Sequence, residues 1–517
     1  MKKLEIKNAI VSVSDKNKLD LLVPYFEKFK VKIFSSGGTY KYLKKLSSKI
    51  KLFEISTITN FPEILGGRVK TLHPAVHSGI LADKNNNEHL KQISKLNLLT
   101  FDLIIVNLYP FSETIKKSNQ IFKECIENID IGGSTLIRAA AKNLSSTAVL
   151  SDPKDYENFV KLAENNRNFF HYDYRKSLAI KAFQKSAFYE SQIAKWFSSM
   201  NKEDLFGDEL ALPFKKIKEL RYGENPHQQA ALYELGRDNI NQLSGKEMSL
   251  NNVNDMNIAI ELALEFNKDF SCVILKHGNP CGVSVSNKQE NAYKNALKSD
   301  PVSAFGGIVA FNKKLTLKTA KLIKENFTEV IIAPKIPKEV TKYLSSKKNL
   351  IIIEYRNILT SKENLSFSST KNHLLVQEQN LKKFKYKDLS FPTLKKPSKI
   401  EMEDLKFAFI VAKYVNSNSI VISKKLTTVG IGVGQTNRLD SAKQALKKLQ
   451  NLKSSKEKFI LASDGFFPFP DIVKLCKKYP ISSIIQPGGS KNDKLVIEES
   501  NKSKISMVFT GYRNFKH

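Results

Sequence analysis

The stretch from Asp102 to Phe111 (DLIIVNLYPF) most constrains what this chain can become, because a continuous apolar run is ended by Pro110. A strand that is apolar on both of its faces must be covered on both faces, which is the condition of a parallel sheet flanked by helices. The surroundings fit. AIVSV (9–13) leads into an amphipathic stretch from Leu19 to Phe29, and VKIFSS (31–36) follows. After Gly37-Gly38, a helix is expected to open at Thr39 and to carry Tyr42, Leu43 and Leu46. DIGGSTLIRAAAKN (130–143) is a second turn feeding a helix. In such sheets ligands sit beyond the carboxyl ends of the strands. Segments 36–39, 107–111 and 130–134 are therefore expected to share one pocket.

A long amphipathic helix from Leu178 to Phe197 is followed by polar SSMNKEDLFGDE (198–209), which places a domain boundary there. The expected domains are 1–200 and 201–517. The second reads as two α/β halves, roughly 210–390 and 400–517, joined by a Lys/Ser-rich stretch with Pro392 and Pro397. The halves carry a faint echo. VILKHGNPCG (273–282), Ala296-Leu297-Lys298 and SDPVSAFGG (299–307) run parallel to TVGIGVGQTNR (428–438), Ala445-Leu446-Lys447 and ASDGFFPF (462–469), as a duplicated unit would.

Composition narrows the function. At 517 residues the chain exceeds one ordinary core, and 41% hydrophobic residues suffice to build several. The net charge of +32 is the footprint of a nucleic-acid binder, but its lysines are spread along the chain. There is no basic tail, zinc-finger spacing or ribonucleoprotein aromatic motif, so no specific nucleic-acid partner is expected. A basic RNA-binding protein is the rival reading, marked by salt-sensitive affinity without catalysis. No apolar run approaches the ~18 residues of a membrane helix, and MKKLEIKNAIVSVSD lacks a signal-peptide core. Cys125, Cys272, Cys281 and Cys476 form no C-x-x-C pair and no zinc spacing. The expectation is a cytoplasmic protein without membrane or metal. Arginine is scarce against this lysine background, so it is expected where a planar two-pronged donor is needed. Arg68, Arg138, Arg221 and Arg438 all fall in Gly-rich or Asn-rich polar segments.

Several segments carry chemistry. Ser35-Ser36-Gly37-Gly38-Thr39 offers backbone N–H groups and a helix N-terminus to an anion. GGRVKTLHP (66–74) adds Arg68 and Lys70, and the two segments together read as a phosphate site. His73 and His77 are four apart, but Pro74 and the missing Glu argue against a zinc-protease helix, leaving solvated or hydrogen-bonding histidines. Gly132-Gly133 lets backbone approach a ligand, and Ser134 is expected to cap the helix. Arg138 and Lys142 share a helical face. Asp130 could orient Lys142 or accept a substrate N–H, and the amides of this turn could form an oxyanion hole. At Lys276-His277 a strand runs into Gly278-Asn279-Pro280-Cys281-Gly282. A histidine beside a cation is biased toward its neutral form, a competent general base. Cys281 has no second histidine placed to activate it and reads as structural. Arg221 to His227 and Asn416 to Ser419 are dense in short polar side chains that specify heterocycles and amides. Gly432, Gly434, Gln435 and Arg438 form another anion-friendly turn. Segments 462–470 and 484–490 add an acid, aromatics on which a flat ring could stack, and a Gly-Gly turn.

These segments resemble the bifunctional purine-synthesis family that joins IMP cyclohydrolase to AICAR transformylase (AICAR is aminoimidazole carboxamide ribotide). The resemblance spans nearly the whole chain, in order: SVSDK, SSGGT, GGRVKTLHP, NLYPF, NIDIGGSTLIRAAAKN, LRYGENPHQ, KHGNPCGV, SDPVSAFGGIVAFN, NSNSIV, GIGVGQTNR, ASDGFFPFPD, IIQPGGS and MVFTGYRNFKH. It implies an N-terminal methylglyoxal-synthase-like α/β domain with a parallel sheet and a C-terminal transformylase of two cytidine-deaminase-like α/β halves without their zinc. In the cyclohydrolase it implies substrate contacts at Ser14, Lys16, Ser36, Gly37, Gly38, Thr39, Arg68, Thr71 and Gly133. It makes Lys70, Tyr109, Asp130 and Lys142 the catalytic groups, and the Ile131 and Gly132 amides the oxyanion site. In the transformylase Lys276 and His277 resemble the catalytic pair and Asn418 the group that positions amine and carboxamide. Arg221, Tyr222 and Arg438 resemble ribotide contacts, and Asp464 and Phe467 belong to the segment near the folate. The implied chemistry is formyl transfer from 10-formyltetrahydrofolate, a co-substrate, to AICAR, then closure of formyl-AICAR to IMP. The implied assembly is a homodimer, with no metal or prosthetic group. A pseudo-enzyme, or a single-activity enzyme with one failed site, is the rival within the family. Three departures stand out: Asn372-His373 where a Gly-Gly turn is common, Asn437 in place of a small Ser, and Gly465 in place of Ala.

Overall fold

Ile104 and Ile105 point to opposite sides of one strand, and both are fully buried. That strand, Leu103–Asn107, belongs to a five-stranded sheet. The order is Lys51–Glu54, Lys32–Ser35, Asn8–Val13, Leu103–Asn107 and Ala148–Leu150. Every adjacent pair is parallel. The doubly covered sheet demanded by the apolar run is therefore present. The computed structural model describes residues 3–62, 64–65, 69–116, 121–200, 206–235, 240–356, 365–450 and 457–517. Arg68 lies outside the described residues.

The chain divides into two units, Met1–Lys215 and Lys216–His517. The boundary expected at residue 200 falls between the Tyr172–Ser198 helix and the Lys215–Leu220 strand. In the first unit the Gly37–Leu46 helix opens at Gly37, two residues before Thr39. The Ile131–Lys142 helix is capped by Asp130, not by Ser134. Asp130 Oδ1 accepts the Gly133 N–H at 2.7 Å, whereas the Ser134 hydroxyl, one turn in, donates to the Asp130 carbonyl at 2.8 Å. A carboxylate at this position meets the otherwise unsatisfied N–H groups and the positive end of the helix dipole, and so displaces the serine.

The second unit is built around an eleven-stranded sheet. Its order is Ile240–Ser244, Ile351–Tyr355, Val330–Ala333, Ile308–Phe311, Phe270–Lys276, Asn279–Ser286, Thr427–Gly432, Ile420–Lys424, Phe459–Ser463, Ile481–Gln486 and Ser506–Phe509. From Ile351–Tyr355 to Ser506–Phe509 this order is a palindrome. Each half contributes an antiparallel hairpin, a third strand antiparallel to it, then two strands added in parallel. The hairpins meet at the centre through Ser284 and Thr427.

The echo is real in the helices and shifted in the strands. A Cβ on Gly282 would run into the Ala296 carbonyl, and one on Gly430 into the Ala445 carbonyl. Both glycines therefore let a hairpin strand lie directly against the following helix, at the repeated Ala-Leu-Lys triplet. Thr427–Gly432 is accordingly the counterpart of Asn279–Ser286. The residues 273–276, which sequence aligned with it, belong with Ile420–Lys424 instead. Both strands of each hairpin are apolar, so pattern alone cannot assign which is which.

Candidate active sites

In the first unit the strand ends and helix starts converge as expected. Asn107, just past the apolar run, accepts the N–H groups of Ser14 and Asp15 at 2.7 and 2.9 Å, and its amide donates to the Asp15 carbonyl at 2.7 Å. This clamp fixes the Ser14–Lys16 loop over the sheet edge. Gly37 has φ of +51°, and a Cβ there would come within 3.2 Å of Lys70 Nζ. A Cβ on Gly38 would meet Lys16 Nζ at 3.8 Å, and one on Gly132 would meet Thr71 Oγ1 at 3.0 Å. Lys16, the Ser36–Gly38 turn, Lys70, Thr71 and the Ile131–Gly132 turn are thus neighbours. Two helix N-termini and two ammonium groups thus face one place, an arrangement whose charge suits an anion. Ser36, which precedes the first of these helices, makes no side-chain cap to its first-turn N–H groups.

Asp130 joins this surface from the cap of its helix. Burial holds its carboxyl above the usual range, opposed by N–H bonds from Gly133 and Tyr109. The Tyr189 hydroxyl accepts the Asp130 N–H at 2.7 Å. Tyr109 presents its ring on the surface, 47% exposed. A desolvated carboxyl beside free helix N–H groups can exchange a proton with a ligand whose developing oxyanion those N–H groups stabilise.

Two expectations need correction. Lys142 lies in the last turn of the Ile131–Lys142 helix and is exposed. Eleven residues of rise, about 16 Å, separate it from the Asp130 end, so Asp130 does not orient it. Thr39 is buried, and its hydroxyl is spent on the Val13 backbone, donating to the carbonyl at 3.0 Å and accepting the N–H at 3.2 Å. Its side chain ties helix to strand. His73 caps the Pro74–Leu81 helix through Nδ1, which accepts the Ala75 N–H at 3.2 Å, in keeping with a hydrogen-bonding histidine.

In the second unit Lys276-His277-Gly278-Asn279 is the turn of the central hairpin of the first half. His277 and Gly278 both have positive φ, 53° and 75°. A left-handed histidine is strained and must be held by its surroundings. Asp255, buried on the Leu250–Leu264 helix, does so: its two oxygens accept the N–H groups of His277 at 3.0 Å and Gly278 at 2.7 Å. His277 lines two cavities, of about 510 Å³ and 360 Å³. Asp255, Gly278, Asn416 and Lys516 share the larger, and Lys276, Cys281 and Lys448 the smaller. The Lys276 ammonium donates to the Phe305 carbonyl at 2.8 Å. Burial pushes the Cys281 thiol up to about 11, so it stays protonated and is no nucleophile at neutral pH.

Asn418 comes from the other half. The Asn416 N–H donates to Asn279 Oδ1 at 2.9 Å, which brings the Asn416–Ser419 segment against the His277 turn. The Asn418 amide itself donates to the Gln435 carbonyl at 2.9 Å, leaving its oxygen as an acceptor.

A family model described as AICARFT/IMPCHase bienzyme matches residues 140–448, and one described as MGS-like domain matches 20–135. "Bifunctional purine biosynthesis protein PurH" of Caldicellulosiruptor saccharolyticus is 44% identical over 99% of this chain and 100% of its own. The protein of that name from Persephonella marina is 44% identical over the same shares, and that from Prochlorococcus marinus MIT 9515 is 43% identical over 98% and 99%. The chain belongs to the AICARFT/IMPCHase bienzyme family. It is a bifunctional enzyme of purine biosynthesis, and its two activities, AICAR formyl transfer and IMP cyclohydrolase, are the last two steps of that route.

Within this bienzyme three transformylase expectations are corrected. Phe467 is fully buried in the core of the second half, so Phe466 and Phe469, 38% and 57% exposed, are the rings available for stacking. The FFPF run gives no sign of which ring turns inward. Asp464 is also fully buried, accepting from Ser417 Oγ at 2.6 Å and from Arg438 at 3.0 Å. Arg438 is engaged by Asp464 and by the Phe466 carbonyl at 3.2 Å, which makes it an internal tie instead of a ribotide contact. The guanidinium occupies the space a Cβ on Gly465 would need. Asn437 caps the Arg438–Lys447 helix by accepting the Asp440 N–H at 2.8 Å. His373 sits in the turn of a surface hairpin, donating its N–H to Thr370 Oγ1 at 3.1 Å.

Arg221 donates to the Tyr222 hydroxyl at 2.8 Å, lies over its ring at 4.6 Å, and shares Glu329 with Lys246. Glu224, three residues beyond Arg221, reaches the larger His277 cavity. Sequence reasoning missed Asn107, Asp255 and Lys516. Asn107 had a signal, a polar residue ending an apolar strand. Asp255 had a weaker one, an acid on a helix face otherwise buried. Lys516 had none among so many lysines.

Proposed function

We propose that the second unit transfers the formyl group of 10-formyltetrahydrofolate to AICAR and that the first unit closes formyl-AICAR to IMP, in a cytoplasmic homodimer. The observation that carries the formyl-transfer reading is the strained His277 turn, clamped by Asp255 between two cavities. The 5-amine of AICAR attacks the formyl carbon, and His277 takes the amine proton as the C–N bond forms. The bond from the formyl carbon to the folate nitrogen then breaks, and that nitrogen receives the proton. Lys276 stabilises the negative charge developing on the formyl oxygen, and Asn418 holds the amine and carboxamide. The reading needs no metal or prosthetic group.

Ring closure follows in the first unit. The carboxamide nitrogen attacks the formyl carbon, and the resulting oxyanion rests on the Ile131 and Gly132 amides. Asp130, Tyr109 and Lys70 move protons so that water leaves and IMP forms. Lys16 and the Ser36–Gly38 turn hold the phosphate. Because closure is intramolecular, positioning supplies much of its rate. Free thiols at all four cysteines suit a reducing compartment.

The test is His277→Ala. Formyl transfer should fall by at least the ~10²-fold typical of a lost general base, while cyclisation of supplied formyl-AICAR continues. Near-normal formyl transfer would sink the assignment.

A further inference from the structure

The two hairpin turns of the second unit share one device and differ in one atom's partner. Asp404, on the Lys399–Ala412 helix, accepts the N–H groups of Lys425 at 2.9 Å and Leu426 at 2.6 Å. Both residues are left-handed, with φ of 50° and 53°. This repeats what Asp255 does at His277 and Gly278. The carbonyls on the far side of the turns part company. That of Leu426 accepts the Val285 N–H at 2.9 Å, so the sheet itself satisfies it. That of Gly278 accepts instead from the Lys516 ammonium, at 2.9 Å.

Lys516 has further ties. Its ammonium also donates to the Tyr414 carbonyl at 3.1 Å. Its backbone pairs with Ser417 in both directions, through the Ser417 N–H at 2.8 Å and Ser417 Oγ at 3.1 Å. Ser417 immediately precedes Asn418. One residue therefore holds the His277 turn of one half and the Asn418 segment of the other. The ammonium is largely withdrawn from water, with Asp255 and Glu261 as the acidic groups facing it.

We propose that Lys516 is a positioning residue for formyl transfer, fixing the left-handed His277–Gly278 turn against the Asn416–Asn418 segment through the Gly278 and Tyr414 carbonyls. This rests on the reading of His277 as the base. Lys516 moves no proton of the reaction. It makes the carbonyl face of the turn as rigid as Asp255 makes the N–H face, where an ångström of misplacement costs on the order of 10²-fold in rate.

The experiment compares Lys516→Met, Lys516→Arg and His277→Ala in the full chain, measuring kcat and KM for formyl transfer, AICAR binding by calorimetry, and thermal unfolding. Methionine keeps the stem and removes the donor. Lys516→Met should lose about tenfold or more in kcat, with AICAR binding within about threefold of the parent, and Lys516→Arg should recover most of the loss. Unchanged kcat in Lys516→Met, while His277→Ala is inactive, would overturn the positioning role and leave the base assignment standing. Equal losses of kcat and AICAR binding, or a collapse of thermal stability, would show a merely structural lysine and overturn it too. Full formyl transfer by His277→Ala would instead overturn the underlying reading.

Discussion

Asp255 holds the backbone of His277, not its ring. Its Oδ2 accepts the His277 N–H at 3.0 Å while Oδ1 takes that of Gly278 at 2.7 Å. The imidazole is thereby left free to face the cavities. Asp404 repeats the arrangement where the turn residues are Lys425 and Leu426. The clamp thus belongs to the duplicated fold, and the histidine is what one copy adds to it. A left-handed non-glycine residue costs of order 1–3 kcal/mol, and two charge-assisted N–H bonds are of the right size to offset it.

The clamp makes stability depend on pH in a defined direction. Burial holds the Asp255 carboxyl above the ordinary range, so the native state binds that proton more tightly than the unfolded chain. This contribution is fully present below the ordinary carboxylate pKa and is lost as pH rises through the raised native value. Asp255→Asn removes the titration. Urea unfolding of this variant should vary less with pH over the acid range than the parent's, and an unchanged dependence would show that the carboxyl does not carry it. Formyl transfer should also fall, because an amide oxygen replaces only one of the two acceptors.

How far the sequence reached depends on which physical signal each residue leaves. Continuous burial of Leu103 to Val106 leaves an unbroken apolar run, so the parallel sheet was legible. The duplication was legible at the Ala-Leu-Lys triplets because Gly282 and Gly430 force the same close contact in both halves. The left-handed turns were not. KHGN has a single glycine, and KKLT has none, so the second turn leaves no turn signature at all. That Asp130 cannot orient Lys142 was not legible either, because helical spacing gives a face but hides the distance along the axis.

Arg438 and Asp464 form a buried ion pair, with side chains 10% and 0% exposed. Removing one partner strands the other charge, which typically costs 3–5 kcal/mol. Arg438→Met should therefore lower the urea midpoint by more than the double variant Arg438→Met/Asp464→Leu. A single variant no less stable than the double would show that the pair does not act as a unit.

The glycine contacts can be tested one half at a time. Gly282→Ala and Gly430→Ala should each destabilise the second unit by about 1–3 kcal/mol, the usual cost of forcing a methyl into a packed core. Unfolding followed with a probe in the second unit would read this. A neutral effect at either position would mean that its helix can retreat.

Asp130 should separate the two activities in the opposite sense to His277. Asp130→Ala loses the helix cap, at a cost of about 1 kcal/mol, and also the carboxyl of the cyclohydrolase surface. Cyclisation should fall by about 10²-fold or more, the scale of general acid–base catalysis, while formyl transfer from the same chain stays near the parent's rate. A variant that still cyclises well would reduce Asp130 to a cap.

Assembly should separate them as well. The first unit collects Lys16, Lys70, Thr71 and the Asp130 turn around a single sheet, all within one chain. The second unit has its His277 and Asn418 segments joined within one chain through Asn279 and Lys516. Arg221, by contrast, is engaged with Tyr222 and with Glu329. In a homodimer, two-fold symmetry would create two equivalent transformylase sites to which a neighbouring subunit can add its own groups. Formyl transfer should then decline on dilution below the dimer dissociation constant while cyclisation persists. Mixing His277→Ala with Asn418→Ala should restore nothing, because both residues belong to the same subunit's wall. Mixing His277→Ala with Arg221→Ala should restore part of the formyl transfer if Arg221 serves the partner's pocket. Equal loss of both activities on dilution, from chains shown to remain folded, would refute the division.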